Sequence, residues 1–332
     1  MSCFQIAGLK EPVFQLMNLL NTSVNFTTPV YRDTLQTAAL KNVITVVLCI
    51  SINYVNGTLV HTIRNHQVFN SNPRYILYIH LVINDMILLI MFTLLQVLSY
   101  IMFTLDVSLC IVLQMVAIFV NLNNPLTLAI MAVECYIAIC FPLRHTQICT
   151  VKKTYVVIGL IWALGALSII PDLFVTLTTE SIEFFNSRVF CLRENVFRAP
   201  YLTVKRDVSN TVFLVIVWFT LFYTYFRILF TAKAAAADAK KARNTVLLHG
   251  FQLLLCMLNY VFNIVLAGLT YFFPKDVLAI RFAVAIFIQI LPRLISPLIY
   301  GLRDKMLMKY LKRYMCCTRN TKTQSQKRTA KA

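Results

Sequence analysis

Charge is what this sequence has least of. Only 13% of its 332 residues are Asp, Glu, Lys or Arg, against 59% hydrophobic, and mean hydropathy is +0.71. Soluble domains carry about a quarter charged residues, so a chain this poor in charge cannot cover a water-facing surface. The composition points to an integral membrane protein with several crossings in one domain. Acid is the scarcer sign: 13 Asp and Glu stand against 31 Lys and Arg, a formal net charge of +18. Such basicity ordinarily raises nucleic acid as a partner. Here the basic residues fall in the gaps between apolar runs and in the tail, where membrane topology accounts for them, and no nucleic-acid partner is expected.

Other absences narrow the reading further. The opening stretch MSCFQIAGLKEPVFQLMNLL is broken by Lys10, Glu11 and Pro12 and has no small-residue cleavage site. The first spanning helix is therefore expected to act as its own insertion signal. No internal repeat is present, whereas transporters often show paired halves with matching broken helices. Neither HExxH nor GxSxG occurs, and His80 and His249 lie on different apolar runs, so an intramembrane enzyme has little support and no cofactor or metal is implied. Of ten cysteines, Cys49, Cys135, Cys140, Cys149 and Cys256 sit in or beside apolar runs, against a disulfide scaffold.

What is present is a series of apolar runs. A span needs about 20 residues, because the hydrocarbon is about 30 Å thick and a helix rises about 1.5 Å per residue. Seven runs qualify, at 36–63, 75–102, 109–140, 153–177, 207–231, 243–272 and 277–300. The fold class expected is an all-α seven-transmembrane bundle over 36–301, after an extracellular segment 1–35. A basic amphipathic surface helix over 302–317 follows, with Leu302, Met306, Leu307, Tyr310, Leu311 and Tyr314 at helical spacing. Residues 318–332 read as a disordered basic tail.

Lys and Arg set the orientation. One side holds Arg64, Arg74, Arg144, Lys152, Lys153, Arg227, Lys233, Lys240, Lys241, Arg243 and the tail from Arg303, so the C-terminus is expected in the cytoplasm and the N-terminus outside. The outer stretch 178–206 resists, with five basic residues: Arg188, Arg193, Arg198, Lys205 and Arg206. Sequons at Asn21 and Asn25 fall in the outer segment and are candidates for glycosylation. The sequon at Asn56 lies inside the first run and is expected to stay unmodified. Cys316 and Cys317 are either palmitoylation sites or free cytosolic thiols.

Ionisable groups inside hydrocarbon need partners. Asp85 lies ten residues beyond Tyr75 in the second run, and Arg293 lies ten residues before Arg303 at the end of the seventh. Ten residues at ~1.5 Å place both ~15 Å deep, so an ion pair near mid-membrane is expected. Asn56 and Asn124 fall at comparable depth and complete a polar network. On the outer side, Cys110 and Cys191 are expected to form a disulfide, with Cys3 left over.

MAVECYIAICFPLRH (131–145), KARNTVLLHG (241–250), TYFRI (224–228) and SPLIYGLRDKM, with the seven runs and the outer cysteine pair, resemble the odorant receptors of the rhodopsin-like G-protein-coupled receptors. The wording is closest to the fish-type branch. The branch's third-helix signature is roughly MAYDRYVAICxPLxY, and Met131, Ala132, Tyr136, Ala138, Ile139, Cys140, Pro142 and Leu143 match it. Several positions depart. The arginine after the acid is Cys135 here, leaving Glu134 at the inner rim as a solvated carboxylate or as the partner of Arg144, Arg227 or Arg243. Ser296 replaces the usual asparagine before Pro297. Met257 and Leu258 stand where a sixth-helix proline is usual. Such receptors often hold a sodium ion near the residue matching Asp85, and the resemblance implies that the Arg293 guanidinium takes its place.

The resemblance implies a plasma-membrane receptor for a small-molecule odorant, coupled to a heterotrimeric G protein of the stimulatory, olfactory type. The ligand would sit among Ala117, Ile118, Asn121, Ser209, Phe213, Tyr260 and Gln289. The G protein would meet Glu134, Cys135, Tyr136, Tyr225, Lys241, Arg243 and Tyr300. With Ala117 where amine receptors carry a carboxylate, a cationic amine has no anchor there. The rival reading is a transporter or channel using Asp85 and Arg293 as a relay.

Overall fold

The computed structural model describes residues 34–102 and 104–234, and beyond these 251, 254, 262, 265–266, 268–273, 276–295, 307 and 309. Among the described residues six helices are long and apolar enough to cross a membrane. The first five spans are Leu35–Arg64, Pro73–Ile101, Val107–Cys140, Val151–Thr179 and Pro200–Ala234. The last runs from Val277 to Ile295 and fills the place of the seventh expected run. These helices overlap six of the expected runs. The remaining run, 243–272, lies mostly outside the described residues, and those described within it, including Phe251, Leu254 and 268–272, are helical.

Local chemistry starts these helices. The Thr34 and Thr150 hydroxyls accept from the backbone N–H groups of Thr37 and Lys153. Asn72 accepts from Arg74 N just ahead of Pro73, whose missing N–H costs nothing in a first turn. Inside the spans, hydroxyls donate back to the preceding turn, as from Thr45 to Lys41 O, Thr62 to Thr58 O and Thr176 to Asp172 O. A polar side chain satisfied within its own helix is what hydrocarbon tolerates. The faces turned to lipid are large and apolar, with Phe219 73% and Phe174 68% exposed.

The third span is the hub, packed against the second, fourth and fifth. Toward its C-terminal end, Leu128, Met131 and Ala132 join Leu59, Ile63, Phe69, Leu77, Tyr78, Leu81, Val217 and Leu221 in the largest core cluster. Leu307 is buried in the same cluster, whereas Lys309 is exposed. At the start of the segment expected to lie on the membrane surface, Leu307 thus packs on protein. The third and fourth spans approach closely at Gly165, where a Cβ would lie 3.0 Å from Asn123 Oδ1 and 3.1 Å from Phe119 Cε2.

The opposite end of the bundle is covered by the segment between the fourth and fifth spans. Cys110 and Cys191 are joined, with Cα atoms 5.7 Å apart. Beside them β1 (Leu105–Asp106) pairs antiparallel with β2 (Arg188–Val189). Phe184, Val196, Phe197 and Leu202 pack there on Val107, Cys110 and Ile111. The five basic residues that resisted the charge rule each have a partner. Arg188 pairs with Asp106 at 3.1 Å, and Arg206 with Glu194 at 3.0 Å and Asp207 at 2.8 Å. Arg198 lies over the Phe184 ring at 4.3 Å. Arg193 (3.0 Å) and Lys205 share Asp172, a fourth-span acid only 5% exposed, and Lys205 also donates to Ser168 O at 2.8 Å. Burial, with Arg206 close by, pushes the Arg193 pKa below its ordinary value, and Asp172 opposes that shift.

Asp172→Asn leaves two cations facing one neutral amide. Because both cations still reach water, the cost is about 2–3 kcal/mol, below that of a fully buried pair. Thermal unfolding in detergent is expected to show a lowered midpoint, partly restored by adding Lys205→Met. A D172N variant as stable as the parent would refute this account.

Candidate functional site

Halfway along the bundle, the second and last spans meet through opposite charges. Arg293 Nη1 lies 3.3 Å from Asp85 Oδ1, and the two residues are 6% and 8% exposed. Asn124 of the third span donates to the same Oδ1 at 2.7 Å, and Asn56 of the first donates to Arg293 O at 3.5 Å. Four spans therefore converge on one carboxylate–guanidinium pair. In hydrocarbon neither ion is tolerable alone, and the extra hydrogen bonds are what make such a pair tenable.

The last span is unusual just before Arg293. Residues Ile286–Ile290 form a π-helical turn. Pro292 has no N–H, so the Ile288 carbonyl loses its ordinary donor, and the Arg293 side chain turns back to donate from Nε to Gln289 O at 2.6 Å. Gln289, expected to face the ligand, is thus one hydrogen bond from the ion pair. The other expected ligand residues in the described part are half-buried: Ala117, Ile118 and Asn121 along the third span, and Ser209 and Phe213 on the fifth. Ile118 packs on the core cluster beneath the disulfide.

At the far end of the third span the expected partners of Glu134 need correction. The carboxylate is 5% exposed and therefore not a solvated rim group. Its described partners are Arg74, at 3.0 Å from Nε and 3.4 Å from Nη2, and His145, at 3.0 Å from Nε2. Neither Arg144 nor Arg227 is bonded to it, and Arg243 lies outside the described residues. The physical reason is helix rotation: Glu134 faces the second span, whereas Arg227 is on the fifth, where its carbonyl receives Cys140 Sγ at 4.0 Å. Cys135 is 1% exposed and packs with Ile228, with Tyr136, Ile139 and Tyr225 alongside. The Cys149 thiol has its pKa pushed up first by burial and then by the Glu134 charge, with Lys153 and Arg74 opposing.

His80 is committed to a structural chain. Trp162, a donor only, gives its indole N–H to Nε2 at 2.8 Å. The ring proton then belongs on Nδ1, facing Thr127 Oγ1 at 3.1 Å, and Thr127 donates to Asn123 O at 2.7 Å. The enzyme reading loses this residue, since both ring nitrogens are engaged.

Tyr260, Ser296, Lys241, Arg243, Tyr300, Asn21, Asn25, Cys3, Cys316 and Cys317 lie outside the described residues. Asn56, whose sequon lies in the first run, is fully buried. Sequence reasoning missed Asp172, Arg74 and His145. The signal for Asp172 was an aspartate inside the fourth apolar run. That for Arg74 was a cation opening the second run on the same side as Glu134.

Six described spans around a buried ion pair, with a disulfide-tethered segment at one end and a buried acid at the other, define a multi-pass membrane helix bundle. The sequence matches the description 7 transmembrane receptor (rhodopsin family) across residues 55–300. It is 32% identical over 280 residues to zebrafish (Danio rerio) odorant receptor 131-2, covering 80% of this chain and 82% of that one. It is also 28% identical over 197 residues to human (Homo sapiens) olfactory receptor 51B2, covering 54% of this chain and 60% of that one. Mouse (Mus musculus) olfactory receptor 4E2 is 29% identical over 204 residues, 58% of this chain and 63% of its own. The chain belongs to the rhodopsin family of seven-transmembrane receptors, in its odorant-receptor branch. This is a receptor family and not an enzyme family.

Two outcomes are expected at this site. Asp85→Asn strands a buried guanidinium and costs about 3–5 kcal/mol, while Asp85→Asn with Arg293→Gln costs far less. Surface expression measured for each is the check, and equal losses in the single and double variants would dissolve the pair. Arg74→Gln is expected to raise hydrogen exchange within 142–148 about tenfold, the equivalent of about 1.4 kcal/mol, while Arg144→Gln leaves it unchanged.

Proposed function

We propose that this chain is a plasma-membrane odorant receptor that binds a small neutral molecule from the extracellular side and activates a heterotrimeric G protein of the stimulatory, olfactory type. The N-terminus lies outside and the basic tail in the cytoplasm, a reading the Lys and Arg distribution outside 178–206 supports. The ligand sits among Ala117, Ile118, Asn121, Ser209, Phe213, Tyr260 and Gln289, above the Asp85–Arg293 layer. A mostly apolar lining with a few polar groups suits a small organic ligand.

The observation that carries this reading is the hydrogen bond from Arg293 Nε to Gln289 O at 2.6 Å. It ties the backbone of Gln289, a proposed lining residue, to the ion pair, so a ligand that reshapes the π turn would act on the pair's geometry. A ligand shifts a conformational equilibrium only by binding one state better, and a ~100-fold preference is worth ~2.7 kcal/mol. The responding surface is the inner end, with Glu134, Cys135, Tyr136, Tyr225, Lys241, Arg243 and Tyr300 around the crevice that receives the G protein. Glycosylation at Asn21 and Asn25 and palmitoylation at Cys316 and Cys317 complete the proposal.

In cells reporting cyclic AMP, a panel of small-molecule classes is expected to yield agonists that drive nucleotide exchange on the stimulatory G protein. Gln289→Ala is expected to shift agonist potency by about tenfold, an effect of about 1.4 kcal/mol. Solute uptake without nucleotide exchange would replace the receptor with the transporter reading.

A further inference from the structure

Among the described residues, three oxygen acceptors on residues bonded to the ion pair have no hydrogen-bond partner: Asn56 Oδ1, Asn124 Oδ1 and Gln289 Oε1. Each belongs to a residue already tied to the pair through its other groups. Asn124 donates to Asp85 Oδ1, Asn56 donates to Arg293 O, and Gln289 O receives Arg293 Nε. With the Asp85 carboxylate they are hard oxygen donors contributed by four spans, each on a residue bonded to the same pair. Unmatched buried acceptors beside a carboxylate are the chemistry that holds a small alkali cation.

The sodium ion that the family resemblance implies does not fit here. Arg293 Nη1 lies 3.3 Å from Asp85 Oδ1, so a second cation on that oxygen would crowd the guanidinium with like charge. Asp85 and Arg293 already balance, which leaves the orphaned oxygens to neutral donors such as water.

We propose that Arg293 is the resident cation of a sodium-type site, so that the native receptor is indifferent to sodium and removing the guanidinium alone opens a working sodium site on Asp85, Asn56, Asn124 and Gln289. The proposal rests on the geometry of the layer and is independent of the odorant and the G protein. The arginine does constantly what a diffusible ion does elsewhere by mass action, so the second and last spans stay tied at any salt composition.

The test is thermal unfolding of the purified full chain in lipid nanodiscs, in about 150 mM sodium, potassium or choline chloride, a physiological ionic strength. The native chain is expected to give the same midpoint in all three. Arg293→Ala is expected to unfold earlier in choline and to regain roughly 3–5 °C in sodium but not in potassium. Arg293→Lys keeps the charge and is expected to stay indifferent. Where R293A does not survive extraction in choline, recovery of folded protein in sodium alone gives the same result by another readout. A sodium-specific shift in the native chain overturns the proposal, as does an R293A variant that gains nothing from sodium.

Discussion

Hydrocarbon does not tolerate an unmet charge, and this bundle is organised by that constraint at three depths. Asp172 near the disulfide end, Asp85 at the middle and Glu134 at the far end are all buried acids, and each is met by a cation from a different segment. Each contact crosses between elements far apart in sequence, so each fixes how two helices are rotated against one another. Apolar packing alone does this poorly in a bilayer, because lipid tails compete with side chains on nearly equal terms. The three ionic contacts therefore supply much of the specificity of the bundle.

The three levels differ in their consequences. At the disulfide end the contacts are redundant: a covalent bond, a two-residue ladder, ion pairs and a cation over an aromatic ring hold one segment down. Losing one should leave the segment in place. At the middle there is a single pair, and its arginine also holds the π turn of the last span through Gln289 O. The turn and the pair are thus bonded directly, while Asn124 and Asn56 brace the pair from the third and first spans. Nearness of Gln289 to the pair is not itself coupling; a switch further requires two arrangements of similar energy. A π turn kept open by a missing proline N–H is an element able to offer a second one.

The approximate ends of the six described spans and the shared level of Asp85 and Arg293 were legible because they depend only on run length and rise per residue. The pairing itself was legible for the same reason: equal depth and opposite charge leave few alternatives. Partner choice at the far end of the third span was not. Glu134 meets Arg74 and His145 rather than Arg144 or Arg227 because of how the third span is rotated, and the apolar pattern of a span surrounded by lipid and protein fixes rotation weakly. Asp172 was visible as an acid inside the fourth apolar run, but its partners Arg193 and Lys205 belong to a segment whose docking no local pattern announces. The π turn at Gln289 was beyond reach too, since Pro292 alone does not say whether a helix kinks, breaks or widens.

Cys135 and the partners of Glu134 are best understood as one change. Cys135 is 1% exposed and packs with Ile228 of the fifth span, flanked by Tyr136, Ile139 and Tyr225. An arginine at that position would have to bury its guanidinium in this apolar cluster or push the fifth span aside. With a small, weakly polar side chain there, the third and fifth spans close on each other, and Cys140 and Thr231 approach to 3.3 Å further along. Glu134 then has no cation beside it in sequence, yet it is too deeply buried to stand alone. Arg74, reaching across from the first turn of the second span, supplies the charge, and His145 brings in the short helix Pro142–Ile148. The acid that its sequence neighbour would otherwise hold is held instead by two other segments. It consequently fixes the loop that follows the third span, a role it could not have while paired within its own helix.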